Sequence, residues 1–222
     1  MFNWLRQRAL PVHQVIEDYQ AVPAPTLDQP VSEVRFLVVD FETTGLIAKK
    51  HHIVSVGWVE IVGQAIELGR CEHFLVKPPV SVGQSAIFHG LHDKDLSHAL
   101  ELEDVLTKLL TRAAGAVLVA HHAQLEQSFL EVACQRCFGK KPRFQFLDTM
   151  RLEWHRLQQQ GKVITAEALR LPNCLARHHL PIQQHHHAQE DAYSAALLLL
   201  SQIKQTRDTK PRLADLWKLN QA

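Results

Sequence analysis

The sequence predicts an α/β domain, and three observations predict it. The run Phe36-Leu37-Val38-Val39 is short, apolar and partly β-branched, as a buried strand requires. Gly63-Gln64 separates two apolar stretches in the manner of a hairpin turn. Leu102, Val105, Leu106, Leu109 and Leu110 fall at helical spacing and form the buried stripe of an amphipathic helix.

Taken in order, residues 1–20 form a candidate helix with Phe2, Trp4, Leu5 and Leu10 partly apolar, expected to pack back on the domain. The stretch from Ala21 through Pro30 reads as a stiff linker, because its prolines block regular pairing. Strands are expected near 35–42, 53–62 and 65–77, forming a meander, and again near 117–121 and 144–148. Helices are expected near 101–114, 124–137, 149–160, 166–179 and 189–206. Arg212 through Trp217 looks like a short helix with a hydrophobic side. The expected organisation is an N-terminal arm and linker (1–30), a central domain (31–208) and a C-terminal short helix or tail (209–222). No internal repeat or long low-complexity tract interrupts it.

The strand at 36–39 runs into Asp40-Phe41-Glu42. Side chains at i and i+2 share one face of a strand, so both carboxylates project side by side from the end of a core strand. Held that close they repel each other unless a proton or a cation lies between them. Hard divalent ions such as Mg²⁺ take oxygen ligands of this kind. The turn that follows, Thr43-Thr44-Gly45-Leu46, is small and polar, and its glycine lets backbone approach a ligand closely. A short apolar strand, Val117-Leu118-Val119-Ala120, leads into a helix carrying Glu126. Later, His186-His187-Ala188-Gln189-Glu190-Asp191 opens a long apolar helix, offering a third carboxylate and an imidazole from one helix entrance.

These segments resemble the three motifs of the DnaQ-like (DEDDh) 3′–5′ exonucleases, and among them the epsilon-subunit type of DNA polymerase III: VVDFETTGL around Asp40 and Glu42, VAHHAQLE around Glu126, and HHAQED ending at Asp191. The connectors are similar too. Ile87-Phe88-His89-Gly90-Leu91 looks like the family's I-H-G-I turn, Phe146-Leu147-Asp148-Thr149 like its F-x-D-T strand end, and Arg170 to Cys174-Leu175 like the helix before the third motif. The likeness covers roughly residues 34–206, in the family's order.

What the resemblance implies is a ribonuclease H-like fold, a mixed five-stranded sheet flanked by helices. It implies phosphodiester hydrolysis with two ions, Mg²⁺ or Mn²⁺, stabilising the attacking and leaving oxygens. Asp40 would bridge both ions, Glu42 and Asp191 would complete one site, and Glu126 would support the other. His186, which keeps the family spacing H-x-A-x-x-D to Asp191, would be the general base, an imidazole suited to take a proton near neutrality. Thr43, Thr44 and Gly45, with His89, would meet the terminal nucleotide, and Leu46 would pack against its base. The chain departs from the family at Glu126, where Asp is usual, and at His122, where Asn is usual. Glu reaches one methylene further, so slower turnover or an altered metal preference is expected rather than inactivity.

The implied partners are single-stranded DNA or RNA 3′ ends, DNA favoured, with a nucleoside monophosphate as product. The setting would be replication proofreading or repair, with polymerase association or self-association. Two other function classes stay open: an end-binding module weakened in catalysis by Glu126, and a partner that recruits a polymerase through residues 1–30.

Composition sets the outer bounds. With 222 residues, 46% hydrophobic and 21% charged, the chain can bury one sizeable core. No apolar run reaches the ~18 residues of a membrane helix, so no membrane partner is expected, and the charged start has no secretory pattern. Cys71, Cys134, Cys137 and Cys174 are scattered, as suits a reducing cytoplasm. Cys134 and Cys137 fall within one predicted helix with no second pair, which argues against zinc. A net charge of +1 does not advertise a nucleic-acid binder. Two basic segments, Lys49-Lys50-His51-His52 and Lys140-Lys141-Pro142-Arg143, are candidates for phosphate contact, and the first lies nearer the Asp40 strand.

Overall fold

A computed structural model of the chain describes residues 14–83, 90–182, 187–206 and 208–221. Strand β1 (Phe36–Thr43) lies at the centre of a mixed sheet. It pairs antiparallel with β2 (Ile53–Val62) on one side and parallel with β5 (Val117–Ala120) on the other. β6 (Phe146–Asp148) continues parallel from β5. Gly63 and Gln64 both have positive φ, 57° and 65°, the two left-handed positions of a tight hairpin, and they return the chain as β3 (Ala65–Ile66) along β2.

The expected strand at 65–77 is broken. A 3₁₀ turn at Leu68–Arg70 takes the chain out of the sheet, and pairing with β2 resumes at β4 (Glu72–Leu75). The sheet therefore has six strands, β3 and β4 sharing the outer edge of β2. The expected helix at 166–179 is divided as well. A 3₁₀ turn spans Glu167–Leu169, extended Arg170 follows, and α5 (Leu171–Arg177) starts with Pro172 in its first turn, where the missing N–H costs nothing. The other helices lie close to their expected places: α2 (Leu102–Ala113), α3 (Ala123–Phe138), α4 (Thr149–Gln159) and α6 (Ala188–Lys204). None of the described helices is long and apolar enough to cross a membrane.

Two cores cover the two faces of the sheet, and the alternation along β1 assigns them. Leu37, Val39 and Phe41 enter the core shared with α1 (Gln14–Ala21), α2 and α3. Phe36 and Val38 enter the core shared with α6 and with α7 (Leu213–Gln221). By the same alternation Asp40 and Glu42 emerge on the α6 side, at the strand end where that core stops. A register shift between Glu42 and Thr43 marks a bulge there, which re-aims the chain as it leaves the sheet.

Both chain ends described are packed down. Val15 and Ile16 of α1 are buried in the first core, and residues 1–13 of the expected helix lie outside the described residues. Near the C-terminus, Val31 N–H donates to Pro211 O (2.9 Å) and Ala214 N–H to Leu27 O (2.7 Å), clasping the linker to the start of α7. Asn220 then closes the open edge of β6. Its Oδ1 accepts from Asp148 N–H (2.8 Å) and its Nδ2 donates to Phe146 O (2.9 Å).

Candidate active site

Asp40, Glu42 and Asp191 each offer an oxygen to one point, and these atoms all lie within 4.8 Å of one another. Two of them come from the end of β1. The third reaches them because α6 lies directly on the β1–β2 ladder. Asp40 pairs with Gly57, and a Cβ built on Gly57 would stand 2.2 Å from Gln189 N and 2.3 Å from Ala188 C. Only a residue without a side chain lets the first turn of α6, and Asp191 with it, come down to the β1 carboxylates.

Glu126 sits in the first turn of α3 and is 4% exposed. It stands outside the 4.8 Å group, yet near enough for its charge to raise Asp40. Its Oε2 is buried with no hydrogen-bond partner among the described residues. Asp148 sets the position of α3. Its Oδ1 accepts from His122 N–H (3.0 Å) and Met150 N–H (2.9 Å), and its Oδ2 accepts from Ala123 N–H (3.0 Å). One carboxylate thus caps the starts of both α3 and α4, which the helix dipoles favour. His121 adds a second anchor through Nε2 to Leu169 O (2.8 Å) and Nδ1 to Thr149 Oγ1 (2.9 Å). Burial lowers its pKa, and the carbonyl partner requires the proton on Nε2.

The electrostatics follow from this crowding. Burial first, then the charges of Glu126, Asp191 and Glu42, push the Asp40 carboxyl well above its usual range. Burial and then Asp191 bring Glu42 up to about 7. Burial, with Asp148 and Glu42 adding to it, takes Glu126 up to about 8. Among the described residues no Lys, Arg or His forms an ion pair with Asp40, Glu42 or Glu126. A cluster of oxygen donors, mutually repelling and with a buried oxygen beside it that has no partner among the described residues, fits hard divalent cations.

A polar platform flanks the site. Ser55 pairs with Glu42, and His73 on β4 pairs with Gly57, so both share the face that carries the carboxylates. Ser55 Oγ and His73 Nε2 are 2.7 Å apart, and the His73 ring packs against that of His187, the residue that opens α6, with centroids 4.3 Å apart and the planes tilted by 40°. Burial, with His187 beside it, lowers His73 to about 4, so it is neutral at ordinary pH.

Of the substrate-contact candidates, Thr43, Thr44, Gly45 and Leu46 leave the end of β1 together. Thr43 Oγ1 donates to Gly45 O (2.9 Å), and Leu46 is 76% exposed. His186 and His89, with Ile87 and Phe88 of the expected turn, lie outside the described residues. Gly57, Ser55, His73 and the capping function of Asp148 were not singled out from the sequence. Gly57 had a signal, an isolated glycine within an apolar strand, which marks close approach of another backbone. Cys134 is buried in the first core and Cys137 is half-buried, both on α3.

Comparison with known proteins supplies the remaining observations. Residues 37–199 match the exonuclease family, RNase_T. The chain is 31% identical over 187 residues to the DNA polymerase III PolC-type of Oceanobacillus iheyensis, covering 83% of this chain and 12% of that protein. Against the PolC-type polymerase of Caldanaerobacter subterraneus subsp. tengcongensis the identity is 29% over 189 residues, 84% of this chain and 13% of that protein. The chain thus spans about an eighth of the length of these relatives. Its fold is similar to that of exonuclease X in complex with 5′ overhanging duplex DNA, with a TM-score of 0.59 and 21% identity, covering 82% of this chain and 98% of that one. It is also similar to the nuclease domain of 3′hExo, a DEDDh family member bound to rAMP, with a TM-score of 0.63 and 15% identity, covering 82% of this chain and 94% of that one.

Proposed function

The chain belongs to the exonuclease family, and from that premise we propose that it is a metal-dependent 3′–5′ exonuclease releasing nucleoside monophosphates from single-stranded ends, DNA in preference to RNA. The observation that carries the reading is the meeting of Asp40, Glu42 and Asp191 within 4.8 Å, beside a buried Glu126 oxygen that has no hydrogen-bond partner among the described residues. The preference for DNA draws on relatives named as DNA polymerases. A polymerase is therefore a candidate partner, and the four free cysteines suit a reducing cytoplasm.

Asp40, Glu42, Asp191 and Glu126 would hold two divalent ions, Mg²⁺ or Mn²⁺. Bound there, such ions stabilise the attacking and the leaving oxygen of a phosphoryl displacement. The protein's own residues do the rest. Thr43, Thr44 and Gly45 present backbone to the terminal nucleotide, with His89, and Leu46 offers its exposed apolar surface to the base. His186 takes a proton from the attacking water as its oxygen bonds to phosphorus. The bond from phosphorus to the 3′ oxygen of the preceding nucleotide breaks. That oxygen gains a proton, and a nucleoside 5′-monophosphate leaves.

A second reading draws on Glu126, which lies outside the three-carboxylate group although the family usually has Asp there. It is an end-binding module with weakened catalysis. Incubation of 5′-labelled single-stranded DNA and RNA oligonucleotides with Mg²⁺, Mn²⁺ or EDTA decides between them, beside an Asp40→Ala control. A metal-dependent ladder shortening from the 3′ end and lost in the control is expected. Intact oligonucleotides with both metals would move the assignment to end binding.

A further inference from the structure

The loop between β1 and β2, residues 44–52, leaves the strand directly after the site residues and is held in one shape from several sides. At its base Thr44 N–H donates to His52 O (2.9 Å), and His52 N–H donates back to Thr44 Oγ1 (3.0 Å). Within it the His51 ring lies against Gly45, where a Cβ would stand 2.6 Å from the ring, and His51 Nδ1 is 3.1 Å from Ile47 N. Ala48 is 7% exposed and belongs to the first core. Arg136, on the helix that also carries Glu126, reaches across and donates Nη2 to Lys49 O (2.9 Å) and Ala48 O (3.5 Å), and Nη1 to His51 O (3.5 Å). Its guanidinium is committed to loop carbonyls.

So held, the loop presents two cations beside two apolar side chains. Lys49 and Lys50 are exposed, as are Leu46 (76%) and Ile47 (52%). Among the described residues neither lysine has an ion pair. In the other basic segment Lys140 pairs with Glu17 at 3.3 Å, while Lys141 and Arg143 are exposed and have no ion pair among the described residues, so what sets the Lys49 loop apart is its place directly after the site residues. Ammonium groups without carboxylate partners, next to apolar surface, are what a single strand of nucleic acid takes: charge for its phosphates and a flat contact for its bases. A loop already fixed loses little conformational freedom on binding.

We infer that this loop grips the single-stranded substrate, Lys49 and Lys50 contacting backbone phosphates and Arg136 holding the lysines in position. The inference rests on the reading of the site as a nuclease acting on single strands and names the element that gives it hold of them.

Anisotropy of a 5′-fluorescein-labelled oligo-dT, titrated with protein in EDTA at KCl from 50 to 300 mM, tests it. Each phosphate contact to a single strand contributes about 0.7 to the slope of log affinity against log salt. The double variant Lys49→Gln, Lys50→Gln is expected to bind more weakly and to lose about 1.4 of slope. Lys140→Gln is expected to keep the parent slope. Arg136→Lys keeps the charge and loses the fork that spans three carbonyls, so it is expected to bind less tightly with the slope unchanged, which a purely electrostatic contact would not produce. A parent slope in the lysine double variant, with native circular dichroism, overturns the inference. Hydrolysis is followed in parallel with Mg²⁺. A lowered slope without any hydrolysis by the parent would overturn the nuclease reading alone, and hydrolysis with an unchanged slope would overturn the clasp alone.

Discussion

Gly57 stands opposite Asp40 across the β1–β2 ladder, and the space its side chain would fill is occupied by the backbone of Ala188 and Gln189. The strand that supplies two carboxylates and the helix that supplies the third are thus in register through a glycine. The contact is between main chains, so no rotamer change can relieve an added methyl group.

Gly57→Ala therefore forces the first turn of α6 away from β1. Overpacking of this kind costs roughly 1–3 kcal/mol of stability. The catalytic cost is expected to be larger, because a placement error near 1 Å can cost ~10²-fold in rate. Folding by circular dichroism and hydrolysis of a labelled oligonucleotide check it. A soluble Gly57→Ala protein with full activity would show that α6 need not lie this close.

Asp148 links the starts of two helices to the edge of the sheet. Asp148→Ala removes acceptors for His122, Ala123 and Met150 N–H at once. Each lost cap is worth about 1 kcal/mol, so a loss of ~2–3 kcal/mol is expected in urea unfolding. Glu126, one turn into α3, should shift with it and lower kcat. Asn220→Ala acts on the other side of the same residue, leaving Asp148 N–H and Phe146 O without their partner. It is expected to cost ~1–3 kcal/mol while leaving the three hydrogen bonds that cap α3 and α4 in place. Equal kcat values for Asp148→Ala and Asn220→Ala would argue against transmission through the caps.

The sequence made legible what depends on local period. Asp40 and Glu42 share a face because strands alternate, α2 shows its apolar stripe at helical spacing, and α6 shows a long apolar run. What stayed hidden depends on contacts between distant segments. Leu68-Gly69-Arg70 breaks a run whose two halves both read as strand, and only pairing with β2 shows where each half belongs. Asp148 caps a helix that starts 25 residues before it. The ring contact of His73 with His187 joins an edge strand to a helix entrance. Of the two basic segments the one nearer the Asp40 strand ranks first on sequence position alone, and the pairing of Lys140 with Glu17 across the fold cannot be read from either charge run.

Glu126→Gln separates binding from stability. The substitution keeps the shape, removes the negative charge and supplies an N–H₂ donor. Mn²⁺ affinity, read by electron paramagnetic resonance, and hydrolysis are both expected to fall, the latter by at least ~10-fold. In the metal-free protein the same change removes a buried carboxylate whose Oε2 has no partner among the described residues, so its Tm at pH 8.5 should rise. Unchanged Mn²⁺ affinity would place Glu126 outside the metal site.

The pH dependence of the metal-free protein follows from the same crowding. Glu42 is raised to about 7 and Glu126 to about 8, and Asp40 moves in the same direction. A carboxyl whose folded pKa lies above its unfolded value binds its proton more tightly when folded. The stability it contributes is complete below the unfolded value, ~4.3 for Glu, and is lost as pH rises through the folded one. In EDTA the Tm is therefore expected to fall between pH 5 and pH 8.5, and Glu126→Gln should flatten the upper part of that fall. Divalent ions reverse the sign, because they bind the ionised carboxylates in the folded protein only. At a hundred times the dissociation constant an ion adds ~2.7 kcal/mol, roughly 5–10 °C for a chain of this size. Differential scanning fluorimetry with and without Mg²⁺ or Mn²⁺ reads both effects, and the gain should be largest at the alkaline end. A metal-induced shift of equal size at pH 5 and pH 8.5 would mean that the ions bind elsewhere than at the carboxylates of β1 and α6.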